Sequence, residues 1–137
     1  MQEAYRRITK KLRAYPKLSR KYYYMLEEIN FKLPPYPEDL GPAYYMSGNQ
    51  DQITIYMIFN ITNPQEVKLL LMTIIHELAH RIQAKQYPNI FDGEHGKLFK
   101  IVCVELGLDP KGESEGLGQR DSKKEFYIWS NEAIKNI

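Results

Sequence analysis

The sequence predicts a small α+β domain built around one buried helix. Three observations lead there. The run from Val67 to Ile82 is apolar nearly all round and is preceded by a helix start signal. Two segments rich in β-branched and aromatic residues, 43–47 and 52–60, flank the polar turn Ser47–Asp51. The first thirty residues carry apolar stripes at helical spacing. A chain of 137 residues is near the usual size of a single domain and long enough to bury a core.

The elements follow in order. Ala4, Ile8, Leu12 and Tyr15 form one stripe, predicting a helix over 2–15. Leu18, Tyr22, Met25, Leu26 and Ile29 form another, predicting a second over 17–30, with Pro16 between them. Residues 33–37, Leu-Pro-Pro-Tyr-Pro, read as a rigid extended connector. The strands 43–47 and 52–60 read as an antiparallel pair. A helix over 64–86 is expected next, with Asn63 as N-cap, Pro64 at its first position and Glu66 completing a capping-box pattern.

A polar loop with Pro88 and Asp92-Gly93 leads to a second helical pattern, in which Phe99, Val102, Cys103 and Leu106 share a face and Gly107 is the stop signal. The domain is thus expected to span 1–108, its basic helical N-terminal part being 1–32. Residues 109–122, rich in Gly and polar side chains, read as a linker. Residues 123–137 form an amphipathic segment with Phe126, Tyr127, Ile128 and Trp129, which either packs on the domain or docks a partner. Packing is favoured, because four free apolar side chains are a solubility liability.

The chemistry is concentrated in His76-Glu77-Leu78-Ala79-His80 and His95, which use all three histidines of the chain. On a helix, His76 and His80 lie one above the other. Two imidazoles so placed suit one Zn²⁺, a third protein ligand completes a catalytic site, and the fourth position is left to water. Zinc lowers the pKa of its water to about 7. Glu77 is the candidate general base; one residue along a helix turns it roughly 100° from the His pair, away from ligation. Buried polar groups in so apolar a helix need satisfaction, which a metal supplies. The competing reading is a pair of hydrogen-bonded core histidines. For the third ligand, a metzincin pattern fails because Gln83 and Gln86 stand where Gly and His are required. His95 is the candidate, with Glu94 and Glu105 as alternatives.

HELAH, a short loop and then His95-Gly96-Lys97-Leu98-Phe99 resemble the core pattern of the SprT-like zinc metallopeptidases, which include the Spartan-type proteases acting on DNA–protein crosslinks. The resemblance covers Asn63 to Gly107. It implies a minimal zincin fold, peptide-bond hydrolysis, one zinc held by His76, His80 and His95, and Glu77 as general base. It also implies that Gly96 allows close helix packing near the metal and that Phe99 anchors its helix to the core. Two features depart from the family: Lys97-Leu98 replaces the usual Pro-Glu, and a chain with one cysteine has no C-terminal zinc ribbon. In such folds a strand beside the active-site helix often has a free edge that pairs with substrate, and 52–60 is the candidate, the alternative being that both its edges are covered.

Charge is uneven. Residues 1–24 hold eight basic side chains against Glu3, a net of +7, and the whole chain is +2, which leaves −5 for the rest. The basic set is Arg6, Arg7, Lys10, Lys11, Arg13, Lys17, Arg20 and Lys21, interleaved with Tyr5, Tyr15 and Tyr22–Tyr24. Such a mixture suits a DNA backbone with stacked bases, but a solvated helix face over core tyrosines is the favoured reading. A lone cysteine, Cys103, forms no internal disulfide and reads as a buried thiol. The N-terminus lacks the apolar core of a signal peptide and no run has the length of a membrane span, so a cytoplasmic protein is expected.

Three functions fit these residues. The first is a SprT-like zinc metallopeptidase acting on protein near DNA. The second is a small zincin cleaving a specific regulator without DNA. The third is a non-enzymatic module in which zinc is structural and the basic N-terminus binds nucleic acid. Tyr56, Arg81 and Tyr87 are all conceivable donors to an oxyanion.

Overall fold

The computed structural model describes residues 1–110, 113–114, 118–119 and 122–136. It is α+β: five helices and a three-stranded sheet enclose one core. Helix α1 (Gln2–Lys10) continues as a 3₁₀ turn over Lys11–Ala14, and its stripe of Tyr5, Ile8 and Leu12, with Tyr15 beyond, is buried.

The expected helix over 17–30 is cut down to α2 (Tyr23–Glu27), entered through a 3₁₀ turn at Arg20–Tyr22. The physical reason lies in another helix. The Arg6 guanidinium of α1 donates to the carbonyls of Leu26 and Glu27, at 3.3 and 2.9 Å, and to that of Ile29. These acceptors are thereby satisfied without a continuing helix. The chain then turns into strand β1 (Asn30–Lys32), which the helical periodicity of the sequence concealed.

Strand β2 (Ala43–Met46) pairs antiparallel with β3 (Gln52–Tyr56), Tyr44 facing Thr54. Strand β1 pairs parallel with β3, Phe31 facing Ile55. The order β1-β3-β2 makes β3 the central strand, so the expected free edge on 52–60 is corrected: both its edges are occupied. The strand is also shorter than 52–60. Beyond Tyr56 the backbone folds back, and the Tyr5 hydroxyl both donates to the Phe59 carbonyl and accepts from its N–H, at 2.8 Å each. Phe31, Ile53 and Ile55 face the helices, the Tyr5 and Phe31 rings meeting edge-on at 5.5 Å.

Helix α3 (Pro64–Gln86) is the buried axis of the domain. The Asn63 side chain caps it, accepting from the Gln65 N–H at 3.0 Å. Glu66 does not close a capping box on Asn63; its carboxylate accepts from the Asn60 N–H at 2.9 Å and so fixes the approach of the chain to the helix. Helix α4 (Lys97–Glu105) ends at Gly107, whose φ of +79° lets the Leu108 N–H reach the Cys103 carbonyl at 2.9 Å.

Within the expected linker 109–122, Glu113–Ser114 (β4) pairs antiparallel with Gly118–Gln119 (β5), and Leu108 bridges Ser122; 111–112, 115–117 and 120–121 lie outside the described residues. Helix α5 (Lys124–Ala133) buries Phe126 and sets Trp129 beside Tyr15, ring centroids 4.9 Å apart. Among the described residues, no helix is long and apolar enough to cross a membrane.

Candidate metal centre

Helix α3 sets His76 and His80 one turn apart, and the loop that follows returns His95 to them. The rings stand 4.9 Å (His76–His80), 5.3 Å (His76–His95) and 4.9 Å (His80–His95) apart between centroids. One nitrogen from each lies within 4.8 Å of the others, and Nε2 of His80 is 3.2 Å from Nε2 of His95. This is the one such group of His, Cys, Asp or Glu side chains among the described residues. Glu94 and Glu105, the alternatives for third ligand, are not in it. Glu105 lines a cleft of about 200 Å³ with Ile82, which is two residues, roughly 200°, around α3 from His80.

His95 is delivered by the loop rather than by α4, which starts two residues later. Asp92 organises that return. Its carboxylate accepts from the Leu98 N–H at 3.1 Å, in the first turn of α4. A Cβ at residue 96 would overlap both the Asp92 carbonyl oxygen and its carboxylate. Gly96 is therefore required by the loop folding against itself, and not by the close helix packing expected of it.

The family resemblance implies that Phe99 anchors its helix, and its position is more specific. It is fully buried and its ring touches all three imidazoles, with centroids 5.1 Å from His76, 4.2 Å from His80 and 4.9 Å from His95. Over His80 the planes are 26° apart, a stacked arrangement. The signal that could have exposed this contact was the spacing of four between His95 and Phe99, which puts them on one side of a helix or its approach.

Burial sets the protonation states. Loss of solvent, and then the neighbouring charges of His76 and His95, push the His80 pKa down. Burial also lowers that of His95; Glu94 opposes this shift and Lys100 adds to it. Glu77, 5 % exposed, is pushed up to about 8 by burial and then by the charge of Glu94. Neutral imidazoles are the ligating form. Three converging imidazole nitrogens without a thiolate fit a divalent cation of the zinc type, and so open a set leaves room for further ligands.

Behind the site lies a polar cluster that the sequence reading missed. Arg81, 3 % exposed, donates to Glu28 at 2.6 Å and to both carboxylate oxygens of Asp51, at 3.2 and 3.0 Å. Lys85 and the Tyr45 hydroxyl also reach Asp51, each at 2.6 Å. This ties the β2–β3 turn to α3 next to His80. Burial acts to raise the Asp51 pKa, but hydrogen bonds from Arg81, Lys85 and Tyr45 outweigh it and hold the carboxyl well below its usual range. Of the three conceivable oxyanion donors, Arg81 is held in this cluster through Nε and Nη2 while its Nη1 is buried without a partner, and the Tyr56 ring packs with Tyr36 and Tyr44, at 5.7 and 6.4 Å. Tyr87 stands at the C-cap of α3.

The basic N-terminal residues divide. Arg6 caps α2 and lies over Phe31, and Arg13 pairs with Glu27. Lys17 and Lys21 border the cleft that contains Glu105, with Ile82, Val102 and Leu106 beneath. Arg7, Lys10 and Arg20 are exposed and Lys11 is half-buried. Tyr5 and Tyr15 are core residues, with 0 and 1 % exposure, so neither presents a face to a base. Comparison of the chain with protein-family models, curated proteins and solved structures finds no match.

Proposed function

We propose that the protein is a zinc-dependent metallopeptidase. The observation that carries this is the convergence of the His76, His80 and His95 nitrogens within 4.8 Å, beside a buried Glu77 that directly follows the first of them. The SprT-like motif pattern supports the same reading.

His76, His80 and His95 would hold the metal. When bound, zinc supplies Lewis-acid polarisation and lowers the pKa of water. The chain's own residues do the rest. Glu77 takes a proton from the attacking water and returns it to the leaving amine. Burial and Glu94 raise its proton affinity in the metal-free protein, and a bound cation would act in the opposite direction. Phe99 excludes solvent from one side of the imidazoles and fixes the tilt of His80. Tyr56, Arg81 and Tyr87 are the candidates to donate to the oxyanion.

An extended substrate needs a free strand edge. Strand β2 packs on α3 and, among the described residues, is paired on one side only, so its outer edge replaces β3 as the candidate for main-chain pairing. DNA, as a partner that localises the substrate, would rest on Arg7, Lys10, Lys17, Arg20 and Lys21, since Arg6 and Arg13 are engaged within the fold.

The test is cleavage of a DNA-bound protein by the zinc-loaded chain, with and without single-stranded DNA, with Glu77→Gln as the blank. Cleavage that needs Glu77 is expected; its stimulation by DNA, weakening with salt, would bring in the basic residues. Zinc binding with no Glu77-dependent cleavage of any protein would overturn the reading in favour of a zinc-stabilised binding module.

A further inference from the structure

The cleft of about 200 Å³ opens between residues 17–22, the last turn of α3 and the end of α4. Its base is aliphatic: Ile82 of α3, Val102 of α4 and Leu106 are all buried. Ile82 is roughly 200° around α3 from His80, so the cleft is separate from the histidine cluster. Its border is held in place. The Tyr15 hydroxyl donates to the Leu106 carbonyl at 2.6 Å, which ties the start of this segment to the end of α4. Two turns follow, the Leu18 N–H bonding to the Tyr15 carbonyl at 3.1 Å and the Tyr22 N–H to the Ser19 carbonyl at 3.0 Å. The Gln86 side chain donates to the Tyr22 hydroxyl at 2.9 Å and joins α3 to the same segment. The Lys21 ammonium lies 5.2 Å from the centre of the Tyr22 ring, which gives it a seat at the border.

Charge narrows what the cleft takes. Lys17 and Lys21 border it from one segment and Glu105 from α4. These groups do not neutralise one another: among the described residues, none of the three forms an ion pair. The complement of two ammonium groups, a carboxylate and an aliphatic base is a molecule with a carboxylate, an ammonium group and a branched apolar body. A phosphodiester would answer the lysines alone, and Glu105 would face it with like charge. Size narrows it further. Pockets for drug-sized ligands run to about 300–1,000 Å³, so this cleft suits a ligand of amino-acid size.

We infer that this cleft binds a free α-amino acid with an apolar side chain of the leucine class. Its carboxylate meets Lys17, Lys21 and the Ser19 hydroxyl, its ammonium group meets Glu105, and its side chain lies on Ile82, Val102 and Leu106. The inference is independent of the peptidase reading, and it leaves Arg7, Lys10 and Arg20 as the basic residues for DNA. Lys17, Lys21 and Glu105 are exposed, so their replacement leaves the core intact.

The test is titration calorimetry on the full zinc-loaded chain with L-leucine as the probe. Leucine is expected to bind with a dissociation constant of about 1 mM or tighter. Glycine, which lacks the apolar body, should bind at least about tenfold more weakly. Isocaproate, which keeps that body and the carboxylate but lacks the ammonium group, should bind roughly fivefold more weakly than leucine. Glu105→Gln should weaken leucine roughly fivefold without weakening isocaproate, whereas Lys17→Ala and Lys21→Ala should weaken both. Unchanged thermal midpoints in the absence of ligand show that the variants are folded. Leucine binding that is indifferent to Glu105 and to both lysines would place the amino acid elsewhere, the zinc ion included, and overturn the inference. Absence of leucine binding would do the same. So would binding of inorganic phosphate or oligothymidylate that depends on Lys17 and Lys21 and is not matched by leucine, since it assigns the lysines to a phosphate group. Cleavage that depends on Glu77 is read separately, and neither result decides the other.

Discussion

The phenyl ring of Phe99 lies stacked on the imidazole of His80, with centroids 4.2 Å apart. A helix of the core and a ligand of the candidate metal centre are therefore one packing unit. Stability and metal affinity should respond together to a change at this contact.

Phe99→Ala should cost about 3–5 kcal/mol of folding stability, as for other buried aromatics. Phe99→Leu should cost less, and both should weaken zinc binding. Urea unfolding and competition with a zinc chelator measure the two effects. Weakened folding with undiminished zinc affinity would separate what the structure joins.

Zinc should stabilise the fold by about 2.7 kcal/mol when free metal stands at a hundred times its dissociation constant. Most of that increment should be lost in His95→Ala, with less change to the metal-free protein, because His95 is half-buried in a loop. Thermal unfolding across a zinc series checks this.

Glu77 gives the metal-free protein a pH dependence of defined sign. Its pKa rises from an ordinary 4.5 to about 8 on burial. The folded state then holds the proton more tightly than the unfolded state. Its stabilising contribution is full below pH 4.5 and is lost as pH rises through 8. Wild-type protein in chelator should therefore lose stability relative to Glu77→Gln between pH 5 and 8. Parallel urea midpoints for the two proteins across that range would contradict the buried state of the carboxyl.

Asp51 acts with the opposite sign. Held below its ordinary 3.8 by Arg81, Lys85 and Tyr45, it stabilises the fold fully above about pH 4, and that stability is lost as pH falls further. Asp51→Ala should cost roughly 2–3 kcal/mol at neutral pH, somewhat under the usual cost of breaking a buried pair, because Glu28 still faces Arg81. The variant should show a shallower acid limb in a stability–pH profile.

At Gly107 two constraints coincide, a φ of +79° and the Tyr15 hydroxyl, which an added Cβ would overlap. The Tyr15 hydroxyl donates to the Leu106 carbonyl at 2.6 Å and so cannot yield freely. Gly107→Ala should lose about 1–3 kcal/mol. Adding Tyr15→Phe should recover part of it, as a double-mutant cycle by urea unfolding would register.

How far the sequence foretold this structure depends on how local each cause is. The bounds of α3 follow from Asn63, Pro64 and an apolar run, all within one stretch of chain, and they came out residue for residue. The β2–β3 hairpin follows from adjacent segments and their turn. The second helix did not survive, because its carbonyls found a donor in Arg6, twenty or more residues upstream. Strand β1 escaped notice because three residues carry too short an alternation to compete with a helical stripe, and its partner lies beyond an intervening strand.

The same division runs through the site. The sequence by itself determined the pair at the heart of the candidate site: His76 and His80 one helical turn apart, with Glu77 beside the first. It could do so because helical spacing is a property of the local backbone. Only the tertiary structure decided that His95, and neither Glu94 nor Glu105, joins the pair, that Phe99 packs among all three rings, and that Arg81 pairs with Asp51 and Glu28. Those outcomes depend on how a loop closes and which distant groups compete for one cation, and no periodicity along the chain encodes either.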